Sequence, residues 1–152
     1  MDKKFLTYKE VDKDIRNISD QISNRFKFNT IVAITRGGLY PALKLSQLLN
    51  IKDVRTICLK SYEKTESKKI EEIFCADIPD STGVLFVDDL RDSGQTINYV
   101  KDKFPRSFLA TIYIKTTKDE ISTSIKYIDF YSKIIDKDKW VVFPWEEKED
   151  IS

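Results

Sequence analysis

Apolar positions along the chain follow two rhythms. Val11, Ile15, Ile18, Ile22 and Phe26 recur every three or four residues, which predicts a first helix. Thr7 and Glu10 stand at capping-box spacing before it. Thr30 to Ile34 is a continuous apolar run, the pattern of a strand covered on both faces. Thr35-Arg36-Gly37-Gly38 breaks that run, and Leu39 to Leu49 predicts a second helix. Its apolar face comprises Leu39, Ala42, Leu43, Leu45, Leu48 and Leu49, with Pro41 tolerated in the first turn. Val54 to Leu59 reads as a strand, and the lysine-rich Lys60 to Lys69 as an exposed loop or a solvated hairpin. Ile70 to Ile78 has no decisive period. After the turn cluster Pro79 to Gly83, the apolar strand Val84 to Val87 ends in Asp88-Asp89. A helix over Thr96 to Phe104 and a strand over Ser107 to Ile114 follow. A short aromatic-rich strand near Tyr127 to Tyr131 and the run Trp140 to Trp145 complete the pattern.

Strands alternating with helices predict an α/β fold with a mostly parallel central sheet flanked by helices on both faces. No linker or repeat divides residues 1–152, so the expectation is a single domain. Ligands of such sheets bind beyond the carboxyl ends of the strands, where the glycines and acids of this chain fall.

Composition removes several chemistries. The 152 residues include no histidine, which excludes Ser-His-Asp and Cys-His catalysis and His-ligated zinc. The formal net charge of +1 gives no bulk attraction to nucleic acid or membrane. Cys58 and Cys75 lack CxxC spacing and read as reduced, packed thiols. No apolar run reaches membrane-span length, and the cytoplasm is the default compartment. There are only four glycines, so each position that keeps one suggests a backbone requirement.

The richest stretch follows the strand Val84 to Val87. Asp88 and Asp89 stand at its exit. Asp92, Ser93, Gly94, Gln95 and Thr96 then form a hydroxyl- and glycine-bearing loop just where a helix begins. Free N–H groups at a helix start, a glycine and hydroxyl donors make a phosphate cradle. Neighbouring carboxylates can accept from sugar hydroxyls or hold a hydrated Mg²⁺. Neither a P-loop nor a GxGxxG loop is present. Upstream, Arg36 and the paired Gly37-Gly38 open the second helix and offer a guanidinium and backbone amides to an anion.

The run from Val84 to Thr96 resembles the phosphoribosyl-pyrophosphate (PRPP) fingerprint of the type I phosphoribosyltransferases. Thr35-Arg36-Gly37-Gly38-Leu39-Tyr40-Pro41 resembles the pyrophosphate loop of the short xanthine–guanine (6-oxopurine) members. The resemblance spans essentially the whole chain in order. It implies a Mg²⁺-dependent pentosyltransferase acting on PRPP and a purine base in purine salvage, with Asp92 as catalytic residue near the purine N7. Asp92 to Thr96 would bind the 5′-phosphate. Asp88 and Asp89 would face the ribose and the metal shell, with Asp89 toward the metal. Arg36, Gly37 and Gly38 would bind pyrophosphate across an often cis peptide before Arg36.

A flexible loop of about residues 61–72, opening on Ser61-Tyr62, would bring Lys68 or Lys69 to the pyrophosphate. A base-binding tail of about 115–148 would use Lys115 on the 6-oxo group, and Trp140 and Val141 on the purine. Read from composition alone, Lys115 is an ordinary solvated lysine. Trp145 is assigned to packing, and Glu146 stands where the family has an acid serving a metal or an exocyclic group. Arg91 departs from the family's common small apolar residue and has two readings, added charge near the phosphates or a solvent-facing side chain.

By resemblance the chain forms a homo-oligomer, a dimer or tetramer. Two rivals stand beside the purine enzyme: a non-catalytic PRPP or nucleotide sensor of the same fold, and a transferase for another base.

Overall fold

The computed structural model describes residues 2–64 and 67–147. Among these, β2 (Thr30–Thr35), β3 (Asp53–Lys64), β4 (Ser67–Cys75), β5 (Val84–Arg91), β6 (Phe108–Thr116) and β7 (Lys133–Asp136) form one sheet in the order β4-β3-β2-β5-β6-β7. All neighbours run parallel except β3 and β4, which pair antiparallel. β1 (Lys3–Phe5) and β8 (Trp140–Val142) make a separate parallel pair. The helices are α1 (Tyr8–Ile22), α2 (Leu39–Leu48), α3 (Gln95–Lys103) and α4 (Ile121–Ser124).

The continuous apolar runs are buried on both sides, as their composition predicts. Ile31, Ala33, Leu85 and Val87 point into a core shared with Val11, Ile15 and Ile18 of α1 and Leu45 of α2. Their neighbours Val32, Ile34, Val84 and Phe86 point into a second core with Ile97 and Val100 of α3. Period-two alternation divides each run between the two helical layers. Thr7 caps α1 by accepting from the N–H of Glu10 at 3.1 Å.

Three expectations change, and one alternative left open is decided. Phe26 lies beyond the helix, which ends at Ile22; Ser23 caps it, Asn24 turns with φ 67°, and Phe26 joins an aromatic cluster with Phe28, Phe108 and Phe130. The apolar face of α2 is narrower than predicted, since Leu39 and Leu43 are about half exposed while Ala42 and Leu45 are buried. Tyr127 to Tyr131 is not a strand. Tyr127 has φ 69°, Phe130 makes one isolated bridge to Ala110, and the sheet edge is instead the short, mostly exposed β7. Lys60 to Lys69 takes the hairpin form, and the undecided segment after it continues as β4 to Cys75.

β1 was invisible to periodicity because three exposed residues carry no pattern. It ties the start of the chain to the tail: Lys4 pairs with Val141, and Leu6 N–H donates to Val142 O at 2.9 Å. Cys58 and Cys75 are free and half-buried.

Candidate active site

β2 and β5 are parallel neighbours in register, Ala33 opposite Val87, so the segments that leave them emerge at the same edge of the sheet. That register sets Gly37 against Asp89 and Gly38 against the Val87 carbonyl. The Thr35–Arg36 peptide is cis, as the resemblance implies. A side chain on Gly38 would run into the carbonyls of Val87 and Ile34, so only glycine lets the loop pack onto the strand ends. A Cβ on Gly37 would meet the Asp89 carboxylate, with Cγ at 2.5 Å. The two loops are thus in van der Waals contact through a glycine and an acid.

The helices that start at this edge differ from α1. α2 begins on Gly38 and α3 on Gly94, neither with a side-chain cap. Gly94 adopts φ 85°, the left-handed region that glycine occupies freely. Uncapped first-turn amides and the positive end of the helix dipole leave two sites for anions on adjacent strands' exits.

Negative charge lies between them. Burial first, and then the charge of Asp89, hold the Asp88 carboxyl well above the usual carboxylate range. Burial likewise raises Asp89. Asp89 N–H donates to Asp88 Oδ1 at 2.9 Å, which orients the pair. No lysine or arginine among the described residues forms an ion pair with either.

Two cavities open on this edge. The larger, about 710 Å³, lies between Arg36, Gly37 and Asp89 on one side and Tyr40, Trp145 and Glu146 on the other. Trp145 packs on Phe143 as expected, with ring centroids 4.8 Å apart, but it also walls this cavity. Tyr40 was not among the expected site residues. It is the second residue of α2, within the stretch Thr35 to Pro41, but no role was expected of it. The smaller cavity, about 170 Å³, is lined by Asp88, Asp92, Ser93, Gly94, Gln95 and Thr96, with Ser61 of the hairpin opposite. Gln95 Oε1 is buried there with no hydrogen-bond partner among the described residues.

The remaining expected residues are placed less closely. Lys115 sits on β6, one residue beyond the Arg91–Ile114 pair, and pairs with Ile135 of β7. Trp140 opens β8, and Lys3 Nζ lies 4.4 Å from its ring centroid, covering one face. Val141 is buried, which leaves its backbone as the part able to meet a ligand. Lys69 pairs with Tyr62 in the hairpin and is exposed. The Lys68 side chain, residues 65 and 66 of the expected flexible loop and residue 148 of the expected tail lie outside the described residues.

Comparison with known proteins agrees with this geometry. The chain is 34% identical over 141 residues to a xanthine-guanine phosphoribosyltransferase of Chromohalobacter salexigens, covering 93% of this chain and 82% of that one. A purine phosphoribosyltransferase structure from Pyrococcus horikoshii superposes with a TM-score of 0.74 at 27% identity, covering 97% and 96% of the two chains. The Helicobacter pylori xanthine-guanine-hypoxanthine phosphoribosyltransferase gives a TM-score of 0.77 at 25% identity, covering 99% and 97%. The family model described as the phosphoribosyl transferase domain matches residues 3–151, and the chain belongs to that family.

Proposed function

We propose that the chain transfers the 5-phosphoribosyl group of PRPP to N9 of a 6-oxopurine, releasing pyrophosphate and forming a nucleoside 5′-monophosphate. The observation that carries this reading is the meeting of two uncapped helix starts across the Asp88–Asp89 pair. PRPP has a phosphate at one end of a ribose and a pyrophosphate at the other, and two anion cradles flanking carboxylates match that layout. The 34%-identical relative carries the name of a transferase for such bases.

In this reading Asp92 to Thr96 bind the 5′-phosphate, while Arg36, Gly37 and Gly38 bind the pyrophosphate, with Lys69 reaching it if the hairpin closes. Asp88 and Asp89 accept from the ribose hydroxyls. Lys115, Trp140 and the Val141 backbone receive the base, and Asp92 takes the proton released near N7. The oxocarbenium-like transition state needs no protein nucleophile, which suits a chain without histidine. It needs positioned phosphates, a stabilised leaving group and exclusion of water.

Mg²⁺ fits the donor set. Asp89 offers a carboxylate with no cation beside it, and the described residues contain no cluster of three or more acidic or cysteine ligands. A cation held by one or two carboxylates, with waters and substrate oxygens completing its shell, is the usual arrangement for Mg²⁺. Bound there, it would neutralise charge on the departing pyrophosphate. A cytoplasmic location and a homo-oligomeric state accompany this proposal.

The test is turnover with PRPP and Mg²⁺ against guanine, hypoxanthine, xanthine, adenine, uracil and orotate. Release of pyrophosphate with one or more of the first three, and not with uracil or orotate, is expected. Turnover restricted to another base moves the acceptor, and PRPP binding without turnover on any base favours the sensor.

A further inference from the structure

Arg91 ends β5 immediately before the Asp92–Thr96 loop, and its side chain does not run out to solvent. Nη1 donates to the Asp92 carbonyl at 2.7 Å and to Ser124 Oγ at 3.2 Å. Ser124 Oγ is itself 2.6 Å from Thr116 Oγ1, and both residues are buried, so α4 and β6 anchor the arm. Nη2 lies 2.5 Å from the point where a Cβ on Gly94 would stand. The guanidinium therefore lies directly under the turn of the loop, and glycine at 94 is what admits it.

This charge is incompletely compensated. Arg91 is half-buried at the end of β5. Asp92 and Glu120 act on it through space, but no carboxylate of the described residues forms an ion pair with it. A guanidinium has five N–H donors, and the two bonds to Asp92 and Ser124 leave others unfilled. A half-buried cation of this kind is costly unless an anion completes it. The smaller cavity contains Arg91 together with Asp88 and Asp92, and no other cation lines it among the described residues. A dianion entering there meets carboxyl groups and uncapped amides, and Arg91 is the one cationic residue among the described lining.

We propose that Arg91 is a substrate-binding residue that supplies the positive charge for the 5′-phosphate from beneath the Asp92–Thr96 loop. The assignment rests on the proposed role of that loop as the 5′-phosphate cradle. It selects one of the two readings that the sequence left open at position 91. A planar fork suits phosphate oxygens better than a point charge, so lysine should replace it only in part.

Equilibrium binding of GMP, guanosine and inorganic pyrophosphate to wild type, Arg91→Met and Arg91→Lys tests it. Arg91→Met should weaken GMP at least tenfold while leaving guanosine and pyrophosphate within about twofold. Arg91→Lys should fall between, and the GMP preference should shrink at high salt in wild type more than in Arg91→Met. Equal GMP affinity in wild type and Arg91→Met overturns the proposal, as does equal loss of all three ligands. If wild type itself binds GMP no better than guanosine, the cradle assignment fails and the role of Arg91 falls with it. Should Arg91→Met not fold, Ser124→Ala, which frees the guanidinium from its anchor, must still weaken GMP selectively. A wild-type pattern in that variant then overturns the proposal.

Discussion

Gly37 and Asp89 occupy the same space to within a methyl group. A Cβ on Gly37 would stand 2.5 Å from Asp89 Cγ and 2.7 Å from Oδ1. The loop that follows β2 and the Asp89 carboxyl near the end of β5 therefore hold each other in place. Gly37→Ala must displace either the loop or the carboxylate, because the obstacle is a short side chain packed at a strand exit. Turnover should fall more than tenfold, equivalent to over about 1.4 kcal/mol of transition-state stabilisation. The melting temperature should change far less, since no core contact is lost. Steady-state kinetics beside a thermal melt would check the pair, and unchanged kinetics would contradict the packing argument.

Asp92 is exposed and immediately follows β5. As the carboxylate assigned to the purine proton, it should matter for chemistry more than for PRPP binding. Asp92→Ala is expected to lower turnover by more than tenfold while PRPP still binds. Single-turnover rates with direct PRPP titration separate the two effects. Wild-type activity in the variant would remove Asp92 from that role.

Asp88 is held above the usual carboxylate range by burial and by Asp89. A carboxyl raised in the folded chain contributes stability that is fully present below its ordinary value. That stability is lost as pH rises through the raised value. The ligand-free protein therefore carries a penalty at neutral pH that acid relieves. Asp88→Asn keeps an oxygen to accept from Asp89 N–H and removes one of the two charges. It should raise the melting temperature at pH 7 by a few degrees, on the order of 1 kcal/mol, with the gain vanishing toward pH 4. Turnover should drop in the same variant. A stability gain independent of pH would show that charge is not its cause.

Tyr40 connects three parts of the molecule. Its ring stacks on Trp145 at 5.2 Å and 26°, and its hydroxyl donates to Asp12 Oδ1 at 2.7 Å. Burial, assisted by that bond, pushes its phenol up to about 12. It thus clamps the tail to α1 beside the larger cavity. Tyr40→Ala should cost about 1–2 kcal/mol of stability and red-shift the tryptophan emission as Trp145 becomes solvated. Tyr40→Phe should keep the stack and the emission while losing the bond to Asp12. Unshifted emission in Tyr40→Ala would mean that Phe143 and Tyr8 suffice to hold Trp145.

The two loops on either side of the cleft were readable as motifs because their chemistry is local. Glycines, hydroxyls and acids at a strand exit constrain the backbone within a few residues, and Gly38 and Gly94 occupy the positions that need them. Residues acting at long range were not readable in this way. Tyr40 and Trp145 are 105 positions apart, and either alone reads as packing. The false strand near Tyr127 arose because buried Phe130 belongs to an aromatic cluster, while the actual edge strand β7 has only four residues, mostly exposed, too few to show a period.

The sequence by itself determined the layered α/β plan, since continuous apolar runs can be buried only between two helical layers, and it determined the chemistry available at the strand exits. Tertiary structure alone decided which exits meet. The β2–β5 register sets Gly37 on Asp89, and the β1–β8 pair brings the tail back to the start of the chain. The turn of the 92–96 loop folds Arg91 inward under Gly94. Each of these depends on strand order and side-chain direction, which a one-dimensional pattern of apolar and polar residues does not encode.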